Sequence, residues 1–240
     1  MSIILFIFIL SFLVYIHEFG HFYAARRQGV AVEEFGFGFP PRIFGKKVGP
    51  TTYSINWIPF GGFVRLKGED GTHEGDTDSF IHKSIPRRAL ILAAGVLMNF
   101  FLAMLLFGIG FATGTPSALH EDMPASARVR DVQVRIAEIP KDSPANAYDL
   151  KTGDSILDIN DTPIAVVQDL TTFTAAHPNA DVVLTIKRNG TVMDVPARVS
   201  VNNNEAQIGI ALVETGIVSY PLLTAFGLGV QQTLQYSWVI

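Results

Sequence analysis

The stretch FLVYIHEFGHFYAARRQG, residues 12–29, sets two histidines and a glutamate inside an apolar run that closes on two arginines. On a helix, positions i and i+4 share a face one turn apart, so His17 and His21 can aim ring nitrogens at a single metal ion. Glu18 stands beside the first of them, where a general base would take a proton from an activated water and return it to a leaving amine. An ionisable residue at membrane depth marks a functional site by default. The competing reading of the two histidines is a hydrogen-bonded pair that packs two helices together, which leaves the glutamate without a purpose.

Working outward, residues 3–25 and 89–112 are each long and apolar enough for a membrane span, which needs about 20 residues. The first lacks the basic start and the small-residue cleavage site of a signal peptide. The composition agrees with a membrane protein: 48% of the 240 residues are hydrophobic and only 17% are charged, and the mean hydropathy is +0.31. A net charge of −4 argues against a nucleic-acid partner, and the absence of cysteine excludes disulfides and thiolate metal sites. Any transition metal must therefore be held by His, Asp or Glu. Arg26 and Arg27 close the first span, while Arg87 and Arg88 open the second. By the positive-inside rule the N-terminus faces outward, residues 28–86 are cytoplasmic, and residues from 113 to about 225 are extracytoplasmic.

Helical rise places His17 about 14 Å inside the Arg26 boundary and Asn99 about 16 Å beyond Arg88. The two spans run in opposite directions, so these polar residues reach the same level. Gly95, Asn99 and Ala103 form a small or polar stripe that permits close helix contact. Asn99 either orients a substrate carbonyl or serves as interhelical glue. In the loop, prolines and glycines between 36 and 62 argue against a long helix, whereas TYSIN and GFVRL alternate like short strands. The polar segment GEDGTHEGDTDSF, residues 68–80, reads as a flexible connector. From residue 128 the pattern is that of a small mixed domain. VQVRIAEI and SILDIN read as strands, SPANAYDL as a capped short helix, and VVQDLTTFTAAH as an amphipathic helix. DVVLTIKRNGTVMDVPARV reads as a hairpin turned at Asn189-Gly190, and AQIGIALV as a last strand.

Four stretches together resemble the site-2 proteases, the intramembrane zinc metalloproteases, and most closely the bacterial regulator-of-sigma-E type. HEFGH is similar to the zinc motif, and FGFGFPPRIF (35–44) with YSINWIPFGGFVRLKGED (53–70) is similar to the glycine-rich loop and Pro-x-Gly-Gly segment. RRALILAAGVLMNFFLA (87–103) resembles the second core span, and SPANAYDLKTGDSILDINDTPI (143–164) resembles an inserted PDZ domain. The fold this implies is an α-helical integral membrane core with a cytoplasmic-side re-entrant β-hairpin and an extracytoplasmic α+β PDZ domain. Its expected parts are 1–28, the first transmembrane helix; 29–86, the re-entrant β loop and connector; 87–113, the second transmembrane helix; 114–127, a linker; 128–218, the PDZ domain; and 219–240, an amphipathic segment and the start of a third transmembrane helix.

The function implied is zinc-dependent cleavage of the transmembrane segments of single-pass membrane proteins, of the anti-sigma-factor or remnant-signal-peptide type, in the bacterial inner membrane. Zn²⁺ would sit on His17 and His21, with Glu18 catalytic and Asn99 orienting the substrate. A substrate helix must unwind before it can be cut, and an exposed strand edge can supply replacement hydrogen bonds. That edge is expected around Ile55, Asn56, Trp57, Gly61 and Gly62. The PDZ domain would bind peptide C-termini, with its groove near Val134, Ile136 and Phe173. The resemblance also implies a third ligand, an aspartate in a Leu-Asp-Gly motif on a later span. The 240 residues contain no such motif, so the sequence reads as C-terminally truncated, with weak zinc binding and poor catalysis expected. The alternative function is a non-catalytic, membrane-anchored PDZ adaptor.

Overall fold

The computed structural model describes residues 2–120, 122–202 and 205–238. In chain order the elements are α1 (Ser2–Arg27), β1 (Val32–Val48), β2 (Thr51–Leu66), α2 (Ile85–Thr113), β3 (Thr115–Ala118), β4 (Arg128–Glu138), β5 (Ser155–Ile159), β6 (Thr162–Pro163), α3 (Val167–Ala176), β7 (Asp181–Arg188), β8 (Thr191–Arg198), β9 (Ser200–Asn202), β10 (Glu205–Gln207), β11 (Ala211–Ser219) and α4 (Leu222–Ser237). They form two compact units, Met1–Leu106 with Gln232–Ile240, and Phe107–Gln231.

In the first unit, α1 is an uninterrupted apolar helix whose last turn carries Arg26 and Arg27, cations that complement the negative end of the helix dipole. It stops at Gly29, whose left-handed φ of 70° lets Val30 donate back to the Ala25 carbonyl. Pro86 lies in the first turn of α2, where its missing N–H has no partner to lose. Both helices are long and apolar enough to cross a membrane. Only 11% and 17% of their most apolar windows are buried, so their oily surface is not consumed by a soluble core. The helices run antiparallel past one another, His21 meeting Ile91 and His17 meeting Asn99. Gly20 makes the approach possible, since a Cβ there would come 2.4 Å from the Ala94 carbonyl oxygen.

The two long strands of this unit each fold back on themselves. Residues 32–37 pair on one side with 62–66, in opposite directions, as in Phe35 with Val64. On the other side they pair with 52–55 in the same direction, as in Glu34 with Thr52 and Phe37 with Ile55. Residues 51–56 pair in turn with 42–48, as in Ile55 with Phe44. The result is four arms in the order 42–48, 51–56, 32–37, 61–66. A buried Glu34 ties the arms together through Arg42 and through Arg65, the latter at 3.0 Å. Phe22, Ala25, Val32, Phe35, Leu66 and Ile91 form the small core between this sheet and the helices.

This arm order corrects one expectation. Ile55 and Asn56 lie in an inner arm, with Ile55 paired to both Phe37 and Phe44. The Asn56 amide donates to the Gly38 carbonyl at 3.0 Å. Neither residue offers a free edge, because both sides of the arm are occupied. The connector expected to be flexible is also tied down. Lys67 bridges Asp76 and Asp78 at 2.9 and 2.8 Å, and Ala31 donates to the Asp78 carbonyl.

In the second unit the strands form one sheet of order β3-β11-β4-β5-β7-β8, with β6 beside β5 and a separate β9-β10 pair. The β7-β8 turn has positive φ at both Asn189 and Gly190, 50° and 89°, as a type I′ turn requires. The expected short helix is a single 3-10 turn at Pro144–Ala147, capped by the Ser143 hydroxyl. The last strand is displaced from the expected 206–213: β11 begins at Ala211, and Gly209 with φ of 85° breaks the run before it. Val134 and Ile136, expected in a peptide groove, are instead fully buried in the core with Ile156, Leu170 and Leu184. Their strand lies between β11 and β5, so it has no edge to offer. Phe173 packs partly against the same core and stacks on His177 at 4.3 Å.

Candidate metal centre

The candidate site is built where α1 and α2 cross. Helical spacing brings the Nε2 atoms of His17 and His21 to 3.2 Å of each other. Two Zn–N bonds of about 2.0–2.1 Å meeting at a tetrahedral angle would hold their nitrogens about 3.3 Å apart. His21 Nδ1 lies 2.8 Å from the Ile91 carbonyl oxygen. A carbonyl only accepts, so that nitrogen carries the ring proton and Nε2 keeps its lone pair.

The space in front of the two rings is kept open by Gly95. A Cβ there would fall 2.4 Å from His21 Nε2 and 2.7 Å from His17 Nε2. Any side chain would therefore fill the point on which both lone pairs can converge. This cradle, with the nitrogen spacing, fits a zinc ion held by His17 and His21. Among the described residues no group of three or more His, Cys, Asp or Glu side chains gathers to hold a metal ion.

Glu18 is half-buried beside this pair, with the Val64 backbone amide near its carboxylate. Val64 belongs to the outer arm 61–66, whose other side pairs with 32–37. That arm is pressed onto α1. Ser11 donates to the Pro59 carbonyl, a Cβ on Gly61 would strike Val14 at 2.6 Å, and one on Gly62 would come 3.4 Å from Tyr15. Glycine at 61 is thus what lets the arm lie so close to the helix, whereas glycine at 62 is needed within the sheet, where a Cβ would come 2.8 Å from the Gly36 carbonyl oxygen. Gly61 also has a φ of 84°, a conformation that other residues resist.

The structure brings His17, Glu18, His21 and Asn99 together and sets Gly61 and Gly62 against the same helix. Trp57 projects outward, 67% exposed. Sequence reasoning missed three contributors: the Ile91 carbonyl, the Val64 amide and the role of Gly95 as a gap. The first two are backbone atoms, which carry no side-chain signal. Gly95 was visible only as a small residue suited to helix contact.

Apolar helices that expose their surface, with a histidine pair and a glutamate at their crossing, define a membrane-associated metallopeptidase class. The chain belongs to peptidase family M50, whose family profile matches residues 5–240. It is 34% identical over 207 residues to a Clostridium perfringens protein named as a zinc metalloprotease, covering 85% of this chain and 57% of that one. A Helicobacter pylori protein of similar name is 33% identical, with 90% and 63% covered. The metalloprotease MmpA of Caulobacter vibrioides is 28% identical, with 90% and 57% covered. The chain thus spans a little over half the length of these relatives. Among solved structures, the PDZ domain of an SdrC-like protein from Listeria monocytogenes aligns with 35% of this chain and 92% of its own. The identity is 19% and the TM-score 0.32.

Proposed function

We propose that this chain is the catalytic portion of an intramembrane zinc endopeptidase that cuts the transmembrane segments of single-pass membrane proteins. The observation that carries the reading is the pair of Nε2 atoms, 3.2 Å apart, facing the gap at Gly95 on two apolar helices. When bound, Zn²⁺ supplies Lewis-acid polarisation of the scissile carbonyl and of the attacking water. Glu18 takes the proton of that water and delivers it to the leaving amine nitrogen. Catalytic zinc takes three protein ligands, and we place the third in the additional length that the relatives possess.

The substrate reaches Glu18 as an extended strand. Arm 61–66 is an edge of the four-arm sheet, and its Val64 lies near the carboxylate of Glu18. A peptide added to this edge has its backbone hydrogen bonds replaced as it leaves the helical state. Trp57, Ile58 and Phe60 are exposed large apolar side chains at the turn leading into the arm, and Phe37, Phe39 and Phe44 extend that surface. Such a surface suits a re-entrant hairpin dipping into the bilayer on the cytoplasmic side. Proline at Val64 is expected to remove the edge donor, while Val64→Ala retains it.

We read the second unit as a PDZ domain and assign it to peptide C-termini. With Val134 and Ile136 in the core, the usable edge is residues 211–213 of β11. There β4 occupies one side, and on the other the pairing with β3 starts only at Thr215. Helix α3 lies beside it, its Val167 amide donating to Glu214 at 2.9 Å.

The deciding experiment is Glu18→Gln in the protein of natural length, reconstituted with a reporter transmembrane segment. Zinc content is expected to stay the same while cleavage falls by at least about 10³-fold, somewhat below what is measured when a catalytic base is lost from a hydrolase. Normal cleavage by this variant would overturn the assignment of Glu18.

A further inference from the structure

By its sequence position Asn99 suits a role toward substrate or in helix packing. The distances around it point to another role. Its amide nitrogen, as placed, lies 3.5 Å from His17 Nδ1, and its carbonyl oxygen is buried with no partner. An amide's nitrogen and oxygen have nearly the same shape and exchange by rotation of the group. The same heavy atoms therefore support two hydrogen-bond patterns, each leaving one atom of the Asn99 amide unpaired, and these differ in which nitrogen of His17 carries the proton.

In the first pattern Asn99 donates to His17 Nδ1, His17 Nε2–H donates to His21 Nε2, and His21 Nδ1–H donates to the Ile91 carbonyl. This chain of donors is self-consistent but places a proton on a nitrogen that would have to bind metal. In the second, the amide is turned over. His17 Nδ1–H donates to the Asn99 carbonyl oxygen, and the Nε2 atoms of both rings present lone pairs to the Gly95 gap. His21 is the same in both, because Ile91 only accepts. Each pattern places one proton on the His17 ring, on Nε2 in the first and on Nδ1 in the second.

We propose that Asn99 is a positioning residue that selects the metal-binding tautomer of His17, its side-chain carbonyl accepting the Nδ1 proton when both histidines ligate. The inference rests on the zinc reading above. Helix α2 then provides three supports of the two ligands: the Ile91 carbonyl for His21, the Asn99 carbonyl for His17, and an absent side chain at Gly95 between them. Partners of this kind raise ligand basicity and fix ring orientation. Asn99 touches neither substrate nor the reacting atoms in this role.

The test is Zn²⁺ affinity by chelator competition, alongside ¹⁵N spectra of histidine-labelled protein in detergent, with the His17 signals identified by their loss in His17→Gln. Asn99→Ala is expected to weaken Zn²⁺ binding about 10–100-fold. Asn99→Asp, an acceptor at the same place, is expected to restore it. In the unsubstituted chain, adding Zn²⁺ should move the His17 proton from Nε2 to Nδ1. If Asn99→Ala binds Zn²⁺ as tightly as the unsubstituted chain, or if the proton does not move, the proposal falls while the zinc centre stands. If His17→Gln and His21→Gln leave Zn²⁺ binding unchanged, the zinc centre itself is wrong.

Discussion

At the residue scale, the site depends as much on a missing side chain as on those present. Replacing Gly95 by alanine adds one carbon 2.4 Å from His21 Nε2, well inside any tolerable contact. Alanine is the better helix former by about 1 kcal/mol, so α2 itself has no reason to unfold. Gly95→Ala is expected to weaken Zn²⁺ binding at least about tenfold with unchanged helix content, a loss on the scale of removing a supporting group. Chelator competition and circular dichroism check the two halves of that statement, and tight binding by the variant would show that the gap is irrelevant. Another residue-scale case lies in the second unit. Burial pushes the Asp154 carboxyl up, but the Arg188 guanidinium and the Lys151 amide outweigh it and hold it below the usual carboxylate range. Arg188 grips both carboxylate oxygens at 2.8 Å. A depressed carboxyl contributes its stability above its unfolded value, near pH 4, and loses it as the pH falls through the lower folded value. Asp154→Asn is therefore expected to lower the unfolding midpoint at pH 7 by several degrees, about 4–8 °C per kcal/mol lost in a domain of this size. The gap between variant and parent should close on acidification below pH 4, which thermal melts at several pH values would read.

At the element scale, the outer arm 61–66 decides where an extended peptide can lie. Only two of the four arms, 42–48 and 61–66, have an open side. Of these, 61–66 is the one that lies beside Glu18 on α1. Val64→Pro is expected to reduce cleavage of a reporter segment by about 100-fold or more, on the scale of misplacing a positioned substrate. Zinc affinity should stay within about threefold of the parent, because the ligands lie on α1 and their supports on α2. Val64→Ala should cut normally. Equal activity of the proline and alanine variants would remove the arm from the mechanism. The strands themselves were legible: TYSIN and GFVRL both fall in β2, and the Asn189-Gly190 turn formed where its dipeptide demands. Their partners were not. Ile55 looked like an edge residue because alternation reports which face is apolar and is silent about how many neighbours a strand has.

At the scale of the whole molecule, the orientation drawn from Arg26, Arg27, Arg87 and Arg88 gives a direct test, since the chain has no cysteine of its own. Exposed positions Glu74 and Thr191 can each carry a single introduced cysteine. In intact cells an impermeant maleimide is expected to label Thr191→Cys, and to label Glu74→Cys only after lysis. The reverse pattern would invert the proposed topology and place the peptide-binding unit in the cytoplasm.

What the sequence determined by itself is local in character. The i, i+4 spacing puts His17 and His21 on one face of α1, the apolar runs make two long helices, and the asparagine-glycine pair makes a hairpin. Each follows from residues a few positions apart, within reach of one turn of backbone. Tertiary structure alone decided that Asn99 faces His17 across 82 positions, that Ile91 fixes the His21 tautomer across 70, and that Val134 and Ile136 are core rather than groove. It also chose 61–66 as the arm beside Glu18. These outcomes depend on which surfaces meet when distant segments pack. A pattern of apolar residues says that a face will be buried, but the identity of what buries it is a property of the assembled chain.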